Sequence, residues 1–595
     1  MPDNDVPDND VPHIDVPHID VPGDDTPDTE ALDRDIATLQ ASAPGWVSSP
    51  LGDKRRLLER VRAATLAAAD DWVTASCLAK GTDASSPAAG EEWLSGPYAV
   101  LNHVRSLITV LRQLEAGRNP LDRCRSRTLP SSQVALRVLP YDARDILLVG
   151  YTADVWLRNG VSLEQAKAGV ARALRDPMRP PEIGLVLGGG NINSIPPLDT
   201  LTKLFQDNAV VMLKLNPVNA YLEPILARAL APLCELGIVR ITSGGADTGR
   251  YLVRHPGIDS LHITGSAASH DTIVFGHGLD GARRKAARRP LTRKPITSEL
   301  GGICPVIVVP GRWSESTMRH QARHLATQRL HNSGFNCIAT QIVVIPERWA
   351  QADRFLDHLR RAVREAPLRP GYYPGAASRQ HAAARSHPDA EMLGGDPAVP
   401  RTLLASLDAT DRDEPAFRDE YFGPVLGVTR LPGTTPASYL DAAVDFCNQR
   451  LLGDLGVGLI AAPRTIRDLG GYLGGGPAGR LDAAIARLRY GNIGLNCWVG
   501  MVYGVARATW GACPGHDSYD VGSGVGVVHN ALLLDPDHVE RSVGRGPFRP
   551  RPMPPWFVQN RSAHRTGEHM TRYAGSSSVA GPLEARAVLS SAVQA

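Results

Sequence analysis

The chain of 595 residues carries 64 Lys and Arg against 62 Asp and Glu, a formal charge of +2, so no global field draws it to nucleic acid or an anionic membrane. With 43% hydrophobic and 21% charged residues it has the composition of an ordinary globular protein, and its eight cysteines, without close regular spacing, make neither a disulfide framework nor a zinc site. No apolar run reaches the roughly 20 residues of a membrane span, and the acidic start "MPDNDVPDND" lacks the basic and apolar regions of a signal peptide; the expectation is a cytoplasmic protein with reduced thiols.

The first 25 or so residues repeat in fives (VPDND, VPHID, VPGDD), and proline at every fifth position among acids predicts a disordered tail over 1–30. Helical periodicity follows in "TEALDRDIATLQASAP", "KRRLLERVRAATLAAADDWV", "EPILARALAPLCEL" and "ADRFLDHLRRAVREA". Short β-branched runs alternate with such segments: "EIGLVLG", "NAVVMLKL", "GIVRITS", "SLHITGS", "CPVIVVP" and "TQIVVIPE". This alternation predicts an α/β fold with parallel sheets, in two lobes divided near residue 295. The basic run "RRKAARRPLTRK" (283–294) reads as a solvated surface segment. The chain after about 575 looks loose, with room for a short helix in its last dozen residues.

Five stretches carry chemistry. In "EIGLVLGGGNINSIPPLDTLTKLFQDNAVVMLKLNP" (182–217) a strand ends in glycines and an Asn, a helix follows, and a second strand ends at Lys214; ligands of such sheets bind beyond the carboxyl ends of the strands. In "SLHITGSAASH" (260–270), Gly265 and Ser266 stand between a strand and a helix start, which suits either a phosphate or a simple N-cap. "ITSELGGICPVIVVP" (296–310) places Glu299 before two glycines at a core edge, where a carboxylate is either satisfied by caps or kept for proton work. "HNSGFNCIATQIVVIPE" (331–347) sets Cys337 at a loop-to-strand junction, 38 residues after Glu299; packing residue, metal ligand and nucleophile all remain open for it. "RDEYFGPVLGVTRL" (418–431) puts Glu420 and Phe422 ahead of a Gly-Pro turn and a strand.

Taken in this order, the elements over roughly residues 150–535 resemble the aldehyde dehydrogenase superfamily, with "ELGG", the cysteine loop and "EYFGPV" the most specific of them. The resemblance implies that Cys337 is the nucleophile, attacking an aldehyde carbonyl to give a thiohemiacetal and then a thioester. Its oxyanion would be held by the Cys337 backbone N–H and the amide of Asn191, counted back from Lys214, with Asn193 the alternative. Glu299 would be the base that activates water. For the cofactor, NAD or NADP, Lys214 would bond the adenosine ribose, Gly265 and Ser266 would face the pyrophosphate, Glu420 would hold the nicotinamide ribose and Phe422 would pack near the ring.

By the same likeness, residues 31–297 would form a Rossmann-like NAD(P) domain and 298–525 the catalytic thiol domain. Strand patterns at about 132–150 and at 526–550 would build an oligomerisation arm, implying a homodimer or homotetramer, and 551–595 would be a loose extension. The chain departs from the family at several points. After Lys214 it reads "KLNPVN", with no acid to repel a 2′-phosphate; His270 replaces the second glycine after Gly-Ser; "GGGNINSIPP" and "WGACPGHDSYDVGSGVG" (510–526) replace familiar segments. Three rival expectations stand beside simple oxidation: transfer of the acyl group to coenzyme A, a catalytically silent nucleotide binder, and a cysteine hydrolase using His331 as base.

Overall fold

A computed structural model describes residues 26–470, 479–576 and 581–594, so the five-residue repeats lie outside the described residues. The first helix, Thr29–Ser48, is capped by the Asp28 carboxylate, which accepts from the Ala31 N–H, so residues 29 and 30 of the expected tail belong to a helix.

Among the described residues seventeen strands follow one another, beginning with β1 (Ser126–Thr128), β2 (Val134–Leu139), β3 (Thr152–Leu157), β4 (Ile183–Leu187), β5 (Val210–Lys214) and β6 (Val239–Thr242). Next come β7 (Ser260–Gly265), β8 (Ile296–Leu300), β9 (Cys304–Val308), β10 (Thr340–Pro346), β11 (Glu391–Asp396) and β12 (Val399–Leu407). The last are β13 (Val425–Leu431), β14 (Gly456–Ile460), β15 (Asn492–Leu495), β16 (Gly524–Val525) and β17 (Val539–Arg545). They form two sheets. A six-stranded one has the order β16-β8-β7-β4-β5-β6, and an eleven-stranded one the order β1-β2-β3-β17-β15-β14-β9-β10-β13-β12-β11. The first is parallel except for β16, and the second is parallel from β17 to β12 with antiparallel margins. Strands β5, β9, β10 and β14 are buried along their whole length, as the unbroken Val, Ile and Leu runs predict for strands covered by helices on both faces. The α/β alternation and the two-lobe division read from the sequence are both present.

Three expectations are corrected. The boundary at 297/298 cuts through β8, which pairs with β7 in the first sheet; the chain crosses to the second sheet only after Leu300, in the two-glycine turn. The segments expected to stand outside both lobes as an arm instead continue the second sheet: β3 pairs antiparallel with β17, and β17 pairs parallel with β15 of the same chain. Within them, 143–148 is a 3-10 turn rather than a strand. Finally, the described part of the stretch from 551 is not a loose extension, beyond the short helix expected near its end. It carries helices Ala563–Gly575 and Gly581–Val593, the first pressed so closely onto residues 89–93 that a Cβ on Gly90 would lie 2.5 Å from the Ala563 carbonyl carbon. An amphipathic pattern shows that a helix has an apolar face but not which distant surface covers it.

Candidate active site

Helix Glu315–Leu330 ends against a loop in which Asn332, Ser333 and Gly334 all have positive φ (+52°, +56° and +83°). Such a run leaves its carbonyls without helix or ladder partners, and they need donors from elsewhere. The Asn332 carbonyl accepts from the Phe335 N–H (2.9 Å), and the buried Arg329 donates to the carbonyl of Gly334 (2.8 Å) and, beyond the run, to those of Thr340 (3.3 Å) and Ala339 (3.4 Å). Asn332 donates through its side chain to the carbonyls of Asn191 (3.0 Å) and Phe335 (3.1 Å), and its backbone N–H to Glu91 (2.6 Å). Asn336 closes the turn on the His331 carbonyl at 2.8 Å. Cys337 follows, held in place at the start of β10.

Its sulfur faces Glu299 of β8, with Sγ 3.8 Å from Oε1. The same Oε1 accepts from the indole N–H of Trp510, while Oε2 has no protein partner. Glu299 is 2% exposed, and burial pushes its carboxyl above the ordinary value, opposed by the nearby His529. Burial likewise pushes the Cys337 thiol well up, helped by the charges of Glu299 and Glu420. Behind Glu299, one ligand atom each of Asp199, Glu299 and His529 lie within 4.8 Å of one another. Asp199 accepts from Thr264 at 2.8 Å and pairs with His529 at 3.1 Å and His262 at 3.3 Å. Burial pushes the Asp199 carboxyl up, but the two imidazoles outweigh it and hold the group below its usual value. The acid is therefore spent on its histidines.

Thiol and carboxylate open onto a cavity of about 120 Å³ walled chiefly by aromatic and aliphatic side chains, among them Trp498, Tyr503, Trp510 and Ile192. One strand pair away lies a second cavity, of about 580 Å³, beyond the carboxyl ends of β4, β5 and β7. Thr264, which lines it, sits directly opposite Glu299 in the β7–β8 register. Lys214, Asn216, Gly188, Gly265, Ala268 and Ser269 line this cleft with Arg250 and Arg254, and none of its lining residues is acidic.

The sequence-predicted residues divide between these two places. Asn191 is the asparagine that reaches the cysteine loop, donating to the Phe335 carbonyl at 2.9 Å; Asn193 donates instead to Ser76, Tyr221 and Glu92, away from it. Lys214 and Gly265 lie in the cleft wall. Ser266 does not: its hydroxyl caps helix Ala267–Phe275, accepting from the Ser269 N–H at 3.1 Å. Glu420 is brought to the "ELGG" turn, where a Cβ on Gly301 would meet its Oε2 at 2.0 Å, so only glycine admits the carboxylate. Burial pushes the Glu420 carboxyl up to about 7 despite the Gly302 N–H and the charges of Arg329 and Arg379. Phe422, at φ +39°, packs on Tyr373 (5.0 Å) and Phe335 (5.9 Å). His331 lines the thiol pocket with its ring 4.8 Å from Trp498, and burial lowers its pKa, so it is a neutral wall residue.

Sequence reading missed Trp510, Asp199, His262, His529 and Arg329. Trp510 alone carried a signal, since it opens the divergent "WGACPGH" stretch; the others are single polar residues without a motif around them.

A thiol paired with a buried carboxylate, one strand from a Rossmann-type cleft, is the arrangement that the resemblance anticipates. Residues 202–387, which include Lys214, Glu299 and Cys337, match the model of the aldehyde dehydrogenase family. The chain is 28% identical over 240 residues to N-succinylglutamate 5-semialdehyde dehydrogenase 1 of Caulobacter vibrioides, covering 38% of this chain and 46% of that protein. It is 29% identical over 271 residues to 3,6-anhydro-alpha-L-galactose dehydrogenase of Streptomyces coelicolor, covering 40% and 49%. The chain thus spans about half the length of the curated relatives it matches. Among solved structures it is similar to a mutant aldehyde dehydrogenase C of Pseudomonas syringae complexed with NAD+ and octanal (TM-score 0.56, 16% identity, 88% of this chain and 90% of that one). It is also similar to the NADP-dependent glyceraldehyde-3-phosphate dehydrogenase of Bacillus halodurans complexed with NADP (TM-score 0.54, 16% identity, 87% and 91%). Residues 202–387 therefore carry the likeness to the aldehyde dehydrogenase family, and the fold is that of solved aldehyde dehydrogenases.

Two measurements check this geometry. A Cβ on Gly334 would lie 2.6 Å from the Gly423 carbonyl oxygen at a φ of +83°. Gly334→Ala is accordingly expected to cost about 1–3 kcal/mol of stability in urea unfolding. Alkylation of Cys337 by iodoacetamide, followed by peptide mass spectrometry, should have its midpoint above the free-thiol value of about 8.5. Glu299→Gln, which removes a negative charge, should move that midpoint down; no movement would mean the carboxylate does not face the thiol.

Proposed function

We propose that this chain oxidises an aldehyde to a carboxylic acid with a nicotinamide dinucleotide, using Cys337 as nucleophile and Glu299 as base. The observation that carries the proposal is the 3.8 Å contact between Cys337 Sγ and Glu299 Oε1 in a water-poor pocket beside a nucleotide-sized cleft.

The cleft fits such a cofactor. It lies where sheets of this kind bind nucleotides, and Gly265 with the start of helix Ala267–Phe275 offers backbone N–H groups for a pyrophosphate, the Ser266 hydroxyl being used in the cap. Lys214 would bond the adenosine ribose, Glu420 the nicotinamide ribose, and Phe422 would support the ring from its aromatic cluster. With no carboxylate and with Lys214, Arg250 and Arg254 in the lining, a 2′-phosphate meets no repulsion, so NADP and NAD both suit the cleft. Bound there, the dinucleotide supplies the acceptor for the aldehyde hydrogen.

The chain's own groups do the rest. The Cys337 sulfur, having lost its proton to Glu299, adds to the carbonyl carbon; the oxyanion takes a hydrogen bond from the Cys337 N–H and from the Asn191 amide, whose other N–H holds the Phe335 carbonyl. Glu299 gives the thiol's proton to solvent, and the thioester on Cys337 is then released by water, whose proton goes to the carboxylate so freed; Trp510 fixes Oε1, leaving Oε2 to hold that water. A base so placed supports hydrolysis over transfer to coenzyme A, and a binder would have no use for the paired thiol. A hydrolase with His331 as base is disfavoured by burial, which lowers that ring's pKa, and by its position against Trp498.

Cys337→Ala should abolish aldehyde-dependent NADH or NADPH formation, followed at the absorbance of the reduced nicotinamide. Glu299→Gln should slow turnover by about 10²–10⁴-fold while an acyl-enzyme accumulates on Cys337, detectable by intact mass. Product formation that requires coenzyme A would replace hydrolysis with acyl transfer.

A further inference from the structure

The pocket at Cys337 is closed by a part of the chain that belongs to neither sheet. Trp556, in the stretch after β17, stands edge-on to Tyr151 at 5.6 Å, and Met570 comes from helix Ala563–Gly575; both line the pocket. That helix is clamped at two glycines. A Cβ on Gly567 would lie 2.8 Å from the Trp93 Cβ, as one on Gly90 would meet Ala563, so the helix sits directly on residues 89–93. These lead into the π-turn Leu94–Tyr98, which gives Leu94, Ser95 and Tyr98 to the same pocket. Met570 and Tyr573 pack with Val588 of helix Gly581–Val593, and Leu94 and Tyr98 pack against this group. The C-terminal helices and the mouth of the pocket are one packed unit.

The lining contains no lysine or arginine. Its ionisable groups are Cys337, Glu299, His331 and two tyrosines, and burial holds Glu299 up, His331 down and the Tyr98 and Tyr503 hydroxyls up, all toward their neutral forms. Arg105, Arg144 and Arg507 line a neighbouring cavity that shares Tyr98, Leu148 and Gly504 with this one, but its volume is about 20 Å³, room for about one water. Arg507 is moreover paired with Asp142 and Asp145. An anionic substituent on the substrate would lose its hydration and find no cation. An apolar group meets aromatic walls, and at about 120 Å³ the space is close to that of an apolar cavity of about 150 Å³ that takes up a benzene ring.

Resting on the oxidation reading above, we propose that the substrate is a neutral, apolar aldehyde, of about the bulk of benzaldehyde or a short aliphatic chain. The C-terminal segment sets this choice through Trp556 and Met570.

The test is kcat/KM for benzaldehyde and hexanal against succinic semialdehyde and glyceraldehyde 3-phosphate, with both dinucleotides. The neutral pair should be preferred by at least about a hundredfold. Met570→Ala and Trp556→Ala should raise the ratio of kcat/KM for octanal over propanal by about tenfold, while Met570→Leu, which keeps the volume, should restore the wild-type ratio. Protection of Cys337 from iodoacetamide by the same four aldehydes reads the pocket without turnover. Protection by the neutral pair alone supports the inference even where no reduced nicotinamide forms, and in that case the oxidation reading fails instead. Preference for, or better protection by, the charged aldehydes overturns the inference, as does a chain-length ratio indifferent to both alanine variants.

Discussion

The reactive geometry depends on one buried guanidinium. Arg329 is 2% exposed, and burial lowers its pKa to about 10, the direction expected of a cation taken from water. What offsets that cost is the loop itself: Arg329 donates to the carbonyl of Gly334, the last of three successive residues at positive φ, and to those of Ala339 and Thr340 where the loop enters β10. Neither part is stable alone. Without the cation the carbonyls are stranded, and without the carbonyls the cation is. Glu91, paired with Arg369 and accepting from the Asn332 N–H, ties the same loop to the N-terminal helices, so the nucleophile is positioned from both ends of the chain.

The two sheets meet through glycine. Gly301 admits the Glu420 carboxylate and Gly302 lies 3.1 Å, as a virtual Cβ, from the Gly453 backbone, with Ser523 just as close. This turn is where the chain passes from β8 to β9, and it lets a residue of the first sheet face a residue of the second across the pocket. The short antiparallel β16 returns to β8 opposite Glu299 itself, closing the strand edge that would otherwise be open beside the base.

Local patterns were legible, and their partners were not. The Val- and Ile-rich runs gave strands where expected, and the glycine pairs, Glu299 and Cys337 each stood out in a short window. That "ELGG" and "EYFGPV" touch, with Gly301 small because Glu420 passes it, is a contact between sites far apart in sequence that no periodicity encodes. The placement of β8 with the first sheet, and of β17 beside β15, likewise depends on pairing. Ser266 illustrates an honest ambiguity of chemistry: a hydroxyl at a strand-to-helix turn can cap or bind, and here it caps. Trp556, Met570 and His529 carry no local signature, since a single apolar or aromatic residue looks the same in a core as in a pocket wall.

The two cavities divide the electrostatic work. The cleft is lined by cations without acids, as a polyphosphate requires, whereas the thiol pocket is apolar and pushes both of its acids toward their protonated forms. Two full negative charges 3.8 Å apart in such surroundings repel strongly, so sulfur and carboxylate hold a proton between them over a wide pH range. That constraint suits the chemistry in sequence. In the oxidation proposed above, the sulfur would act as nucleophile with the proton on Glu299; once the sulfur was acylated it would no longer compete, and a carboxylate that had released the proton could draw one from water. Behind Glu299, Asp199 and its histidines act in opposite senses, His529 favouring the carboxylate and Asp199 the protonated form, so burial is what holds Glu299 above its ordinary value.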